Sequence, residues 1–399
     1  MTQAFEGISI LDFTQVFAGP FAAMQLALLG AEVIKIEQPL HGDQTRNLMN
    51  AIDDKALSPA FVAMNFNKRS LTLNLKSDQA TAIIRKLVAN TDVVIENFKA
   101  GTMTKLGLDY DALKKVKPDL IYCSVTGYGQ QGPKAGEAAY DGAIQAASGM
   151  MSQNGHPSTG PTRTGFMPVD MATSLNAAFA IAASLHRKAQ TGEGQYIDVA
   201  MLDTAIVVQA AQFSNYFNQG KKLGLMGNAS PTGQPTANVF ATKDGFIQIT
   251  ALSKNQVEKL FEAFGRIEDL KRPEFADPSS RAKNAALIND YVTEQLQQRT
   301  TLEWLLDLAK RGIPVAEIRD IPQVIADPQL AHREIFASVA SPNQPGKEIK
   351  AVKAGFMATP DGPKVVSAPP LLGADSHQIL TALGYSESEY ADLKAMGII

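Results

Sequence analysis

The first 130 residues leave this chain little freedom of fold. Residues 8–12 (ISILD) are a short apolar run and TQVFAGP follows as a turn. FAAMQLALLG reads as a helix closed by Gly30, and AEVIKIEQP is a second apolar run stopped by Pro39. Strand, turn, helix and strand in so short a stretch make a βαβ unit, which requires parallel pairing and a right-handed crossover. The pattern then returns. NKRSLTLNLKS alternates from Leu71 to Leu75, Ser77 or Asp78 caps a helix written QATAIIRKLVAN, and DVVIENF (92–98) and PDLIYCSVTGYG (118–129) are further strands. Strands rich in Val and Ile, alternating with helices, predict an open, mostly parallel, Rossmann-like α/β sheet covered on both faces. Ligands bind such sheets beyond the carboxyl ends of the strands. Thr14–Ala18, Glu37–Pro39, Asn97–Lys99 and Thr126–Gly129 all fall there.

Farther along, residues 140–151 (YDGAIQAASGMM) read as a helix with small residues on one face. The segment SQNGHPSTGPTRTGFM that follows is dense in Gly, Pro, Ser and Thr, as in a surface loop suited to a mobile active-site segment. Next come a long apolar helix beginning near Asp170, the strand GQYIDVAM and a helix from about Leu202 to Tyr216. At residues 219–240 the grammar changes to a Gly/Pro/Asn stretch. It leads into a hairpin-like pair, ANVFATKDGFIQITA, with Lys243-Asp244-Gly245 as the turn, and a charged helical stretch from Asn255 to Arg311. Residues 230–325 are therefore expected to form a second, smaller domain. The tail has loops, a short strand near Ile349–Val352 and final helices.

Composition excludes several classes of function. With 399 residues, 45% hydrophobic, 19% charged and a net charge of −3, the chain has no basic footprint for nucleic acid. No apolar run reaches membrane-spanning length and the start lacks the order of a signal peptide, so a cytoplasmic protein is expected. The single cysteine, Cys123, lies inside a strand, as a small core residue does, and excludes an internal disulfide or a multi-cysteine metal site. The five histidines (His41, His156, His186, His332, His377) are scattered without ligand spacing, so no metal site is expected. No G-x-G-x-x-G follows the first strand, and no P-loop or G-x-S-x-G elbow occurs.

Elimination leaves carboxylates as the reactive groups, and Asp170 is the best placed of them. Two readings fit it. Asp is a preferred helix N-cap, accepting hydrogen bonds from the unpaired N–H groups of the first turn. Alternatively it is a nucleophile, held ionised by the helix N-terminus and exposed by the loop before it. Lys68, Arg69, Lys76, Lys99 and Lys105 put cations at or near strand ends, where they suit a polyanionic ligand or simply form a solvated face. Gly227, Gly233 and their neighbours read either as a loop donating N–H groups to an anion or as a plain interdomain linker.

Several blocks, in order, resemble the class III coenzyme A transferases, the formyl-CoA and carnitine-CoA transferase superfamily. They are LDFTQVFAGPFAAMQLALLGAEVIKIEQPLHGDQTR, FNKRSLTLNLKS, DVVIENFKAGTMTKLGLDYDAL, LIYCSVTGYGQQGP, AYDGAIQAASG and TGEGQYIDVAMLD. The resemblance implies a large α/β domain built from both chain ends (1–205 and 326–399), a linker at 206–229, an inserted α+β domain at 230–325 and an interlocked homodimer. It implies that Asp170 attacks an acyl-CoA thioester, giving an aspartyl–acyl anhydride and then an aspartyl-CoA thioester, so that CoA passes to an incoming small carboxylic acid. CoA and acyl-CoA are then substrates, and no cofactor is permanently bound. The family's CoA contacts carry over to Val16, Phe17, Ala18, Gln38, Leu73, Asn74, Leu75, Lys76, Asn97, Phe98, Lys99, Lys105, Ala139, Tyr140 and Asp141. The end of its closing loop carries over to Gly233 and Gln234. Formyl-CoA transferase has Gln at the place of Phe17 and Arg at that of Gln38, and GNASP lacks the His of the GN-x-HP pattern seen in many relatives.

Two other functions compete. An α-methylacyl-CoA racemase shares the fold but pairs the Asp with a His where this chain has Tyr140, a poor base with a reference pKa of about 10. A non-catalytic acyl-CoA-binding subunit would keep the fold without needing Asp170.

Overall fold

Six parallel strands form the main sheet of the computed structural model, which describes residues 3–48 and 57–399. They are β1 (Ser9–Asp12), β2 (Glu32–Glu37), β3 (Lys68–Thr72), β4 (Val93–Glu96), β5 (Ile121–Thr126) and β6 (Gln195–Ala200), in the order β3-β2-β1-β4-β5-β6. The order reverses between β1 and β4, whose registers are fixed by Ile10 facing Val33 on one side and Val93 on the other. That reversal opens a crevice beyond the carboxyl ends of these two strands. The open parallel α/β sheet expected from the alternating pattern is therefore present, with helices on both faces. One face packs Leu11, Leu71, Val94 and Tyr122 against helix α2 (Asp78–Val88) and the C-terminal helices. The other packs Ile10, Val33, Ile95 and Cys123 against α1 (Ala18–Ala27) and α4 (Pro168–Thr191).

The chain divides into two units, Met1–Met150 with Thr164–Gly220 and Pro328–Ile399, and Met151–Arg163 with Lys221–Asp327. The second unit is built on an antiparallel sheet in which β7 (Ala237–Ala241) and β9 (Val315–Glu317) flank β8 (Phe246–Thr250). Phe240, Ile247, Ile249, Phe261, Phe275 and Trp304 fill its core. Its hairpin turns where expected, with Thr242 N–H donating to the Gly245 carbonyl. Residues 151–163 join this unit through the paired segments Gly155–His156 and Gly160–Pro161 and through Gly227 N–H donating to the Gly155 carbonyl. Residues 206–229 contain the helix Ala210–Gln219, so only their second half is irregular.

Two local expectations shift. β3 ends at Thr72, not Leu75, because the Asn74 carbonyl accepts from Ser77 N–H and Asn74 N–H donates to Ile398, turning the chain into α2. Helix α1 begins at Ala18, because the turn before it is held from below by buried ions. Lys68, read as a ligand cation, is completely buried. It donates to Asp12 at 2.8 Å, to the Asn65 side chain at 2.9 Å and to the Pro20 carbonyl at 2.8 Å. Lys35 is likewise sealed in, with Asp43 at 2.9 Å and the Thr14 carbonyl at 2.6 Å. Arg46 forks onto Glu37, which also accepts from the Ser70 hydroxyl and Asp43 N–H. Burial alone would raise Asp12 and Glu37, but the adjoining cations hold both below the usual carboxylate range. Burial pushes Lys68 down to about 8 despite Asp12.

These ions cluster at the end of β1, with Lys35 and Glu37 from β2 and Lys68 from the start of β3, so removing one leaves another charged and dry. Lys68→Met is expected to destabilise the protein by about 3–5 kcal/mol, the typical effect of breaking a buried pair. A double variant, Lys68→Met with Asp12→Leu, should regain part of that loss; chemical denaturation of both variants checks it.

Candidate active site

Three loops at the carboxyl ends of β1, β4 and β5 line a cleft of about 380 Å3, completed by Gly136–Tyr140 and Asp170. The first loop is tied across the strand-order reversal. Gln15 N–H donates to the Asn97 side chain at 2.8 Å, and the Asn97 amide returns a bond to the Gln15 carbonyl at 2.7 Å. Val16 follows in the left-handed region at φ 70°, a conformation costing a β-branched residue about 1–3 kcal/mol. Its N–H is held by the Asp43 carboxylate at 3.2 Å, so the buried ions below also fix this strained residue. Phe17 turns inward among Met64, Met167 and Met171, giving the cleft an apolar flank.

Helix α4 starts at Pro168, which fits a first helical position because it has no N–H to satisfy. Asp170 is therefore the third helical residue and not the cap. The cap is supplied from elsewhere: Asp141, the first residue of helix α3 (Asp141–Ala147), accepts from Val169 N–H at 2.8 Å and Asp170 N–H at 3.0 Å. The other oxygen of Asp141 accepts from the Gln145 amide at 2.5 Å. That amide also reaches the Thr164 hydroxyl at 3.1 Å, while Thr164 N–H donates to the Gln145 side-chain Oε1 at 3.1 Å.

Relieved of capping, the Asp170 side chain accepts no hydrogen bond from the described residues and lies on the cleft wall. It is only 9% exposed, where an exposed carboxylate was expected. Its ionisation also departs from expectation. Burial first, and then the neighbouring Asp141 charge, push it up to about 7, outweighing whatever the helix N-terminus offers.

Val16, Phe17, Ala18, Asn97, Phe98, Lys99, Ala139, Tyr140 and Asp170 line this one cleft. The remaining candidates stand apart from its wall. Gln38, Asn74, Lys76 and Lys105 are exposed, Leu75 is half-buried, Leu73 is in the core, and Asp141 is buried behind Asp170. Gly233 and Gln234 belong to the second unit, where the Gln234 amide donates to the Pro278 carbonyl at 3.3 Å. Arg69 is drawn towards Asp375 at 3.7 Å. Tyr140 is largely exposed, and no His stands beside Asp170 in the cleft wall. Among the described residues no three His, Cys, Asp or Glu side chains gather as a metal site. Cys123 is sealed in β5, where burial pushes its thiol up. Gln15, Gln44 and Gln145 were not singled out from the sequence. Gln145, four residues after Asp141, carried the only readable signal, a same-face helical pair.

Residues 5–376 match the sequence profile of CoA-transferase family III. The chain belongs to that family. It is 35% identical over 384 residues to the succinate–glutarate CoA-transferase of Agrobacterium fabrum, covering 94% of this chain and 95% of the relative. It is 34% identical over 406 residues to the succinyl-CoA:glutarate CoA-transferase of Homo sapiens, covering 99% and 89%. The crystal structure of a CAIB/BAIF family protein from Brucella suis superposes with a TM-score of 0.85 at 34% identity, covering 96% of this chain and 100% of that one. The protein is thus a class III CoA-transferase, an enzyme class whose substrates are CoA thioesters. No helix among its described residues is long and apolar enough to cross a membrane.

In this transferase Asp170 carries a stability penalty. Its folded pKa lies above the ordinary value, so the native state holds the proton more tightly and stability falls as pH rises from about 4 to about 7. A neutral Asp170→Asn should therefore be more stable than the parent by about 2 to 4 kcal/mol at pH 8, allowing for residual solvent contact. The gain should fade towards pH 4; thermal melts at both pH values measure it.

Proposed function

We propose that this enzyme moves CoA between acyl-CoA and a carboxylic acid through covalent intermediates on Asp170. The carboxylate attacks the thioester carbonyl, the carbon–sulfur bond breaks, and CoA leaves as the thiolate with an aspartyl–acyl anhydride behind it. The thiolate then attacks the aspartyl carbonyl, expelling the donor acid and forming an aspartyl-CoA thioester. An incoming acid reverses both steps, so the activation of the acyl group is conserved and no permanently bound cofactor takes part. The observation that carries this reading is the state of Asp170: nearly buried, on the wall of a strand-end cleft, with no donor from the described residues engaging its oxygens. Its raised pKa adds nucleophilic strength once it is ionised.

CoA in this reading enters across Val16–Ala18, Asn97–Lys99 and Ala139-Tyr140, with Gln38, Leu73–Lys76 and Lys105 reaching its nucleotide end and Asp141 supporting the site from behind. Gly233 and Gln234 close over the acyl group. The enzyme works as an interlocked homodimer in the cytoplasm, with residues 1–205 and 326–399 as the CoA-binding domain and 230–325 as the inserted one. For the acids, relatives named for succinate and glutarate favour dicarboxylates with a methylene chain. The apolar Phe17 on the cleft wall, backed by Met167 and Met171, suits methylenes that formate and oxalate lack.

Asp170→Ala should lower acid exchange by at least 10³-fold while acyl-CoA binding persists, as expected for loss of a covalent nucleophile. Hydroxylamine added during turnover should leave a hydroxamate on Asp170, detected by mass spectrometry. Unchanged turnover in the alanine variant would sink the mechanism. Solvent deuterium appearing at the α-carbon without acid exchange would replace transfer with racemisation. The free carboxylate is the reactive form, so kcat/KM should fall about tenfold per pH unit below about 7.

A further inference from the structure

We infer that Asp141, locked by Gln145, is a positioning residue whose negative charge is held against Asp170 to favour acylation of the nucleophile. This goes beyond a CoA contact for Asp141 and rests on Asp170 being the nucleophile.

Three geometric facts carry the inference. First, Asp141 caps α4 at the two N–H groups of Val169 and Asp170, so it fixes the backbone that bears the nucleophile. Capping by a residue 29 positions earlier links α3 to α4 rigidly, whereas a self-capping Asp170 would have spent its own oxygens. Second, Asp141 cannot swing away. Its second oxygen is gripped by Gln145, which is wholly buried and itself held by Thr164. Third, both carboxylates are nearly out of water, at 6% and 9% exposure, so their repulsion is poorly screened.

The other ionisable groups near Asp170 do not cancel that repulsion. The cleft wall contributes Lys99, Tyr128, Glu137 and Tyr140. Lys99 points to solvent and Glu137 adds further negative charge. Of the elements packed on α4, helix α1 bears no charged residue, β5 contributes only the buried Tyr122 and Cys123, and β6 contributes Tyr196 and Asp198, whose carboxylate is engaged by Gln130 N–H at 2.9 Å. The helix Met201–Val208 contributes only the exposed Asp203.

Chemistry relieves the strain. When a carboxylate oxygen of Asp170 bonds to the thioester carbon and the carbon–sulfur bond breaks, the negative charge leaves Asp170 and appears on the CoA sulfur. The anhydride and the aspartyl thioester are both neutral at residue 170, so Asp141 faces no charge in either intermediate. Only the unacylated enzyme, free or with acyl-CoA bound, bears the repulsion, and Asp141 destabilises it relative to both acylated states. The same charge makes Asp170 bind its proton more tightly, which sets a measurable signature.

Asp141→Asn keeps the volume and an acceptor for the helix N–H groups but removes the charge. It should move the acid limb of kcat/KM down by about one pH unit and lower the plateau rate about tenfold or more. Asp141→Glu, which keeps the charge but displaces it, should lose rate with the limb left near its parental place. A merely structural role would lower the plateau without moving the limb, so an unshifted limb in Asp141→Asn overturns the inference. If that variant fails to fold, Asp141→Ser, a neutral cap, carries the same expectation and the same test. Hydroxylamine trapping on the parent enzyme separates the two levels of the claim. No hydroxamate on Asp170 refutes the nucleophile itself, whereas a hydroxamate with an unshifted limb refutes only the role of Asp141.

Discussion

Lys35 and Lys68 are buried against the loop that follows β1, and through it they support the cleft wall. Each lysine donates to a backbone carbonyl of the Thr14–Pro20 segment as well as to a carboxylate. Buried ion pairs are weak sources of net stability, because desolvation offsets most of the attraction. Their value here is directional. Charged donors aimed at Thr14 and Pro20 hold a chain reversal that includes Val16 at positive φ, a conformation that would otherwise relax. The Asp43 that pairs with Lys35 also accepts from Val16 N–H, so one carboxylate links the lattice to the strained residue at the cleft. Thr45 completes its coordination through both backbone and hydroxyl.

The sheet supplies the second half of the site by topology. Because the strand order reverses between β1 and β4, the loops after them diverge, and the reciprocal Gln15–Asn97 bonds bridge the gap at its base. Glu96 supports the far side by accepting from Phe98 N–H at 2.9 Å, and burial pushes it up to about 7. Asp170 arrives from a different direction, on a long helix packed along α1. The facing residues Ala22, Ala23 and Ala27 are small enough for close approach, and Ala177, Ile181 and Leu185 follow Asp170 and Thr173 down the buried stripe of α4. The position of Asp170 is therefore set by packing along its helix and by the cap at its end.

Much of this was legible in the sequence because it depended on local pattern. The Val- and Ile-rich runs define the strands, the glycines and prolines define their ends, and the strand-end rule points to residues 14–18, 97–99 and 126–129. Family blocks singled out Asp170. Pairing at long range was not legible. Lys68 reads as a ligand cation until Asp12, 56 residues away, is seen beside it. One hint was available: Lys35 stands inside the apolar run EVIKIE, and a cation in a strand buried on both faces needs a partner. Of the two readings of Asp170, the cap fails for a related reason. Cap preference is a local rule, and a competing carboxylate from another helix had already satisfied the same N–H groups.

The charge arrangement also bears on how the proposed anhydride breaks down. The anhydride joins two carboxyl groups, and the CoA thiolate can attack either carbonyl. Attack on the substrate carbonyl expels Asp170 and returns the starting thioester. Attack on the aspartyl carbonyl expels the donor acid and advances the reaction. The better leaving group is the weaker base, and a buried Asp170 beside Asp141 is a stronger base than a free aliphatic acid in water. Expulsion of Asp170 would also recreate the repulsion with Asp141, whereas expulsion of the donor acid places the new charge on a small molecule able to leave. A carboxylate paired against another carboxylate is thus a poor leaving group as well as a strong nucleophile. Both properties push the donor half-reaction towards the aspartyl-CoA thioester, and both oppose the last step of the acceptor half, in which Asp170 must leave.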